Sequence, residues 1–162
     1  MASPDPTAPA DSDLPASVRP VLFCGSVLML DLLRTYSKAL ALDAESIWIL
    51  LYVTQQSMQP FLLDPDQARA WSAAPVVADE VRGWVSRRAV AEGTGLPRET
   101  VRRKMAVLCR DGLLVEDEFG RIRVRSDGWE TEYLKDFADQ ISTAVDRYER
   151  RMAMIGDFIR HA

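Results

Sequence analysis

Arginine is the side chain this sequence concentrates. Between Arg82 and Arg125 lie eleven basic and six acidic residues, while the rest of the chain holds nine basic and eighteen acidic. Clustered guanidinium groups grip phosphates or carboxylates in bidentate fashion. A basic island inside a chain of net charge −4 is what a duplex-binding face on a soluble carrier requires. Other chemistries find little support. The one histidine, His161, is the penultimate residue, which closes off imidazole acid–base schemes and His-based triads. Two cysteines, Cys24 and Cys109, are too few for a disulfide scaffold or a structural zinc site. The carboxylates Asp64/Asp66, Asp79/Glu80 and Glu116/Asp117/Glu118 fall in loops, helix edges or a turn. No glycine-rich phosphate loop, nucleophile elbow or metal-ligand spacing accompanies them. We therefore expect no enzyme, no cofactor and no metal.

The chain that must carry this island has 162 residues, 48% hydrophobic and 27% charged, which is one domain's worth of core. Its longest apolar run near the N-terminus, Val21 to Leu30, falls well short of the ~20 residues that span a bilayer. The first residues carry Asp5, Asp11 and Asp13 and no basic stretch, so no signal peptide is expected and the protein should be cytoplasmic.

Residues 1–18 read as a disordered tail of prolines, aspartates and small residues. From Val21 to about Leu42 the pattern is helical, with Asp31, Arg34 and Lys38 as a narrow polar stripe in an otherwise apolar cylinder. So wide an apolar arc points to burial on several sides, including against a second subunit. Asp43 is placed to cap the next helix, which carries the apolar run Ile47 to Val53 and should close at Pro60. Residues 61–82 are the least legible, with Asp64-Pro65-Asp66 able to start a short helix through Trp71 and Pro75 breaking it. Asp127 and Glu130 make a capping box for the last helix. Its apolar positions Tyr133/Leu134, Phe137, Ile141, Val145, Tyr148, Met152, Ile155 and Ile159 step by threes and fours, approaching a coiled-coil seam. A helix this long predicts dimerisation through that seam.

The stretch Gly83–Arg125 organises the arginines. Trp84-Val85 can add one strand, and Ser86 caps a short helix with Val90 and Ala91 inward. Gly93-Thr94-Gly95 stops it, and Pro97 suits the first turn of a second helix. Val101, Met105 and Leu108 point inward on that helix and Gly112 ends it. Ala91, Gly95 and Val101 have the spacing of a helix-turn-helix: a small residue at the helix contact, a turn residue with positive φ, and a branched plug for the corner. With that inner face set, Arg98, Glu99, Arg102, Arg103 and Ala106 point outward. Lys104 leans inward, so its stem must snorkel. Leu113-Leu114-Val115 and Arg121 to Arg125 then form a hairpin around Asp117–Gly120, with Ile122 and Val124 inward and Arg121, Arg123 and Arg125 outward.

This stretch resembles the winged helix-turn-helix domain of bacterial transcriptional regulators. Gly95 to Arg103, with Leu108 and Asp111-Gly112-Leu113, is particularly similar to the GntR and MarR types. The resemblance implies a mainly α fold with a small β-wing: a winged helix-turn-helix domain at 43–126, flanked by dimerisation helices at 19–42 and 127–162. It implies a homodimeric, sequence-specific regulator of transcription bound to double-stranded DNA. Its recognition helix, about 97–110, would lie in the major groove and its wing, 113–125, on backbone or minor groove. Arg98, Thr100, Arg102 and Arg103 would meet bases and nearby phosphates, and Arg87, Arg88, Arg121 and Arg123 would hold the backbone. Leu134, Phe137, Ile141, Val145, Tyr148, Met152 and Ile155 would form the dimer.

Other readings stand beside this one. The same fold can serve as a protein–protein adaptor without DNA, its basic face meeting an acidic partner. RNA binding lacks an aromatic stacking platform on the exposed face. Some MarR-type peroxide sensors carry a reactive cysteine near the position of Cys24, but its nearest cation in sequence is Arg19, so a buried structural thiol is the expectation. Trp48, Tyr52, Phe61, Trp71 and Trp84 could line a pocket for a small apolar effector, although aromatics at such spacing more often belong to plain core.

Overall fold

The computed structural model describes residues 18–62, 64–66, 69, 82–125 and 131–161, with the side chains of 60–62, 131–133 and 157–161 excepted. The expected tail, most of the 61–82 connection (Asp79, Glu80 and the Phe61 and Trp71 side chains included), the Asp127–Glu130 box, and the Tyr133 and Ile159 side chains lie outside the described residues. The protein is mainly helical, with one small antiparallel sheet. In order, the elements are α1 (Val18–Leu40), α2 (Ala44–Leu62), β1 (Val85–Ser86), α3 (Arg87–Thr94), α4 (Arg98–Arg110), β2 (Leu114–Glu116), β3 (Arg121–Val124) and α5 (Thr131–His161). No helix among the described residues is long and apolar enough to cross a membrane.

The chain divides into two compact units, Met1–Leu32 with Asp139–Ala162, and Leu33–Ala138. In the first, Cys24 of α1 and Ala144 of α5 are buried. The spacing of Asp31 places it in a solvent-facing polar stripe. Instead, Arg147 donates to its carboxylate at 2.8 Å, and Asp31 is largely covered. A charge at a helix contact is tolerated because its partner arrives with it.

In the second unit α1 ends at Leu40, because Ala41 turns into the left-handed region at φ 53°, and Ser37 Oγ donates to the Leu42 carbonyl. Asp43 caps α2 as expected, accepting from the Ser46 N–H at 2.9 Å. Ser46, Ile49, Leu50, Val53 and Ser57 form a buried face at helical spacing, with Ile47 buried beside it. Pro60 does not close α2, which continues to Leu62. Proline in a last turn forfeits one hydrogen bond only, its own N–H to the Gln56 carbonyl; separately, the Gly83 N–H donates to the Ser57 carbonyl at 2.9 Å. Asp64 accepts from the Asp66 N–H and residues 65–66 are helical, as the Asp-Pro-Asp motif predicts.

The sheet runs β1-β3-β2, every pair antiparallel. Ile122, in the central strand, faces Val85 on one side and Glu116 on the other, and is fully buried. It meets Leu50, Val53, Val90, Val101, Met105, Leu108 and Leu114 in one core shared by α2, α3, α4 and the sheet. At ~25 cal/mol per Å² of apolar surface, such burial is the main force holding these elements together.

Candidate functional site

The site is the outer surface of α3, α4 and the β2–β3 hairpin. Ser86 Oγ accepts from the Ala89 N–H to open α3, and Gly95, at φ 69°, closes it by donating to the Ala91 carbonyl. Gly93 is not part of the stop. It lies within α3 because the Tyr52 ring occupies the space its Cβ would need. Pro97 sits one residue earlier than expected, at the N-cap of α4 instead of in its first turn. The C-terminus of α4 is a Schellman motif: the Leu113 N–H donates to Leu108 O, the Gly112 N–H to Cys109 O, and Gly112 has φ 75°.

These caps fix how α4 is rolled. Val101, Met105 and Leu108 are buried; Arg98, Glu99, Arg102, Arg103 and Ala106 are exposed and Thr100 half-buried. Lys104 has a largely covered stem, and its ammonium donates to Asp43 and lies 3.6 Å from Glu45, tying α4 to the start of α2. That bond, then the Ser46 N–H, holds the Asp43 carboxyl below its ordinary value.

Most arginines of the site have a carboxylate partner. Glu99 takes a fork from Arg102, Nε at 2.9 Å and Nη2 at 2.5 Å. The bond lowers the Glu99 pKa and raises that of Arg102. Arg88 donates to Glu92 at 2.7 Å and Arg87 to Glu116 at 2.6 Å, the latter joining α3 to β2. Arg98 and Arg103 make no hydrogen bond or ion pair among the described residues.

The hairpin is built around Asp117. Its Oδ1 accepts from the N–H groups of Phe119 and Arg121, and its Oδ2 from Arg121 Nε at 2.7 Å. Desolvation pushes this carboxyl up, but the Arg121 N–H and guanidinium outweigh it, and the net shift is downward. Arg121 lies 5.4 Å from the Phe119 ring centroid and 5.9 Å from that of Trp84; Arg123 lies 4.5 Å above Trp84. Strand alternation predicts that Arg123 faces solvent with Arg121 and Arg125. It is half-buried, because the β1–β3 register carries Trp84 alongside it. Val124, expected inward, is also half-buried, and Arg82 Nη1 donates to its carbonyl at 3.3 Å.

Two groups of basic side chains result: Arg98, Arg102 and Arg103 on α4, and Arg87, Arg121 and Arg123 beside the sheet. No hydrogen bond or ion pair among the described residues joins them. Sequence reasoning missed the Trp84 shelf, the exposed Phe119 at the hairpin tip and the Glu99 fork. The i, i+3 spacing of Glu99 and Arg102 was the available signal for the last. Of the five aromatics, the three with described side chains lie apart in role: Trp48 is exposed on α2, Tyr52 abuts Gly93, and Trp84 supports the arginines. Of the residues expected in the α5 seam, Ile141, Val145, Tyr148, Met152 and Ile155 are half-buried, Phe137 packs edge-on against Tyr36 at 4.9 Å, and Leu134 is exposed. Burial raises the Cys109 thiol pKa, with Glu116 adding to it, and Cys24 is buried. Among the described residues no cluster of potential ligands could hold a metal ion. Comparison with family models, curated proteins and solved structures finds no match to this chain.

Proposed function

We propose that the chain is a homodimeric winged helix-turn-helix protein of the cytoplasm, similar to MarR- and GntR-type regulators, that binds double-stranded DNA and regulates transcription. The observation that carries this reading is the division of α4. Its inner face is buried by its own chain, while Arg98, Arg102 and Arg103 project from the opposite side with nothing apolar to cover. A helix of this kind, N-terminus outward, is what a major groove admits. β2 and β3 would be the wing, its arginines held in place by Trp84 and Asp117 to meet phosphate. Arg98 and Arg103, which make no hydrogen bond or ion pair among the described residues, would supply most of the attraction. Arg102, already oriented by Glu99, would read a base edge. In a dimer the two recognition helices would sit ~34 Å apart, one turn of duplex.

The test is fluorescence anisotropy of a labelled random duplex across ~50 to 200 mM salt. Wild type should bind with an affinity that falls steeply with salt. Arg98→Ala/Arg103→Ala should flatten the log–log slope by about 1 to 2, roughly one for each phosphate no longer neutralised. No binding at the lowest salt overturns the reading. One observation favours a second: four arginines are already neutralised by Glu92, Glu99, Glu116 and Asp117. A protein–protein adaptor for an acidic partner needs less excess charge than a duplex does, and it would lead if DNA fails.

A further inference from the structure

Glu99 is an unexpected side chain on a face that is otherwise basic. It is the one acid of α4, it stands on the outer side, and its side chain is 73% exposed. A carboxylate there repels a duplex, so its presence calls for a use. Its use is to hold Arg102. Arg102 Nε donates to one Glu99 oxygen at 2.9 Å and Nη2 to the other at 2.5 Å, and two bonds fix the plane of a guanidinium. The other paired arginines of the site are held at one point. Arg87 reaches Glu116 through Nη2, while Arg88 and Arg121 reach Glu92 and Asp117 through Nε. A single bond leaves the group free to turn about it.

A guanidinium carries five N–H donors in one flat fork. Glu99 takes the side edge, Nε and one hydrogen of Nη2. The end edge, Nη1 with the second hydrogen of Nη2, stays open, and the Arg102 side chain is 62% exposed. Two parallel donors on a rigid edge match two adjacent acceptors. In the major groove guanine alone presents such a pair, O6 and N7. Adenine sets a donor beside its N7, cytosine offers a donor, and thymine sets a methyl group beside its one acceptor. Glu99 and Arg102 together are also neutral, so the charge of the duplex draws them weakly and directional bonds must hold them. Arg98 and Arg103, with no hydrogen bond or ion pair among the described residues, can turn to phosphates, which carry no sequence information. The geometry points to Glu99 and Arg102 as a guanine-reading pair. Arg102 bonds O6 and N7 through its end edge, and Glu99 is the positioning residue that sets its plane and keeps it off the phosphates. This rests on the DNA reading above and names the base that α4 seeks.

Selection of duplexes from a randomised pool, followed by anisotropy with 7-deazaguanine at each selected guanine, tests it. The deaza base keeps its Watson–Crick pairing and loses the N7 acceptor. Wild type should enrich guanine at a fixed position and bind the deaza duplex there roughly 10-fold more weakly. Arg102→Ala should bind the two duplexes equally. Glu99→Gln keeps the length and removes the charge and one of the two acceptors. It should bind a random duplex more tightly than wild type and steepen the log–log salt slope by about 1, because the freed Arg102 neutralises a phosphate. Its preference for guanine over the deaza base should fall toward that of Arg102→Ala. An acid that served only the first turn of α4 would give a loss of affinity on removal, not a gain. No binding of any duplex at the lowest salt overturns the DNA reading and the pair with it. Binding without an enriched guanine, or with Arg102→Ala still sensitive to the deaza base, overturns the pair and leaves DNA binding standing. Unchanged discrimination by Glu99→Gln overturns the role of Glu99.

Discussion

The inner face of α4 and the outer face of α1 are both apolar at helical spacing, yet they meet different fates. Val101, Met105 and Leu108 are covered by α2, α3 and the sheet, whereas Leu22, Phe23, Met29 and Leu30 are exposed among the described residues. Apolar patterning alone does not distinguish a buried face from an exposed one. What separates them is the supply of partners: α4 is flanked by short elements that cap tightly and fold back upon it, while α1 presents two opposite sides, one of them exposed among the described residues.

The difference can be broken most forcefully at α4. Leu108→Ala should cost ~2–5 kcal/mol, read as a lower denaturant midpoint independent of protein concentration, because the cavity lies within one chain. Leu30→Ala, at an exposed position, should leave that intrachain core alone and the midpoint almost unmoved. Gly93→Ala comes next, at ~1–3 kcal/mol by overpacking against Tyr52. Tyr52→Leu should relieve part of that penalty in the double variant, and a purely additive result would remove Tyr52 as the cause.

Asp43→Asn should cost up to about 1 kcal/mol at neutral pH, since it keeps the α2 cap but removes the charge that pairs with Lys104. The folded pKa of Asp43 lies below its unfolded value, so its contribution is present above the ordinary carboxylate range, near ~4, and lost as pH falls through the folded pKa. The gap between wild type and variant, followed by chemical denaturation, should close in acid. The smallest effect should be a gain. Ala41 holds a left-handed conformation at φ 53°, and Ala41→Gly should stabilise by up to about 1 kcal/mol. A loss there would mean that the entropy of glycine in the unfolded chain outweighs the strain.

Much of the candidate site was legible because its devices are local. Ser86, Gly95 and Gly112 act within a few residues of where they stand, so the limits of α3 and α4 and the roll of α4 follow from spacing. Gly93 misleads for the opposite reason: what demands glycine there is Tyr52, more than forty residues earlier. Arg123 departs from expectation through strand pairing. Alternation puts it opposite Ile122 correctly, but only the β1–β3 register reveals that Trp84 shares that side. Trp48 groups with the other aromatics by composition, but on α2 it is exposed.

The sequence by itself determined the caps and turns, the buried stripe of α4, the alternation of β3 and the concentration of arginine on one segment. Each depends on φ preferences or on periodicity, which act over a few residues. Only the tertiary structure decided which arginines have carboxylate partners, that Trp84 lies beneath Arg123, and that Leu22, Phe23, Met29 and Leu30 of α1 are exposed while most of the expected α5 seam is half-buried. Those depend on which distant segments arrive at a given face, and no local rule carries that information.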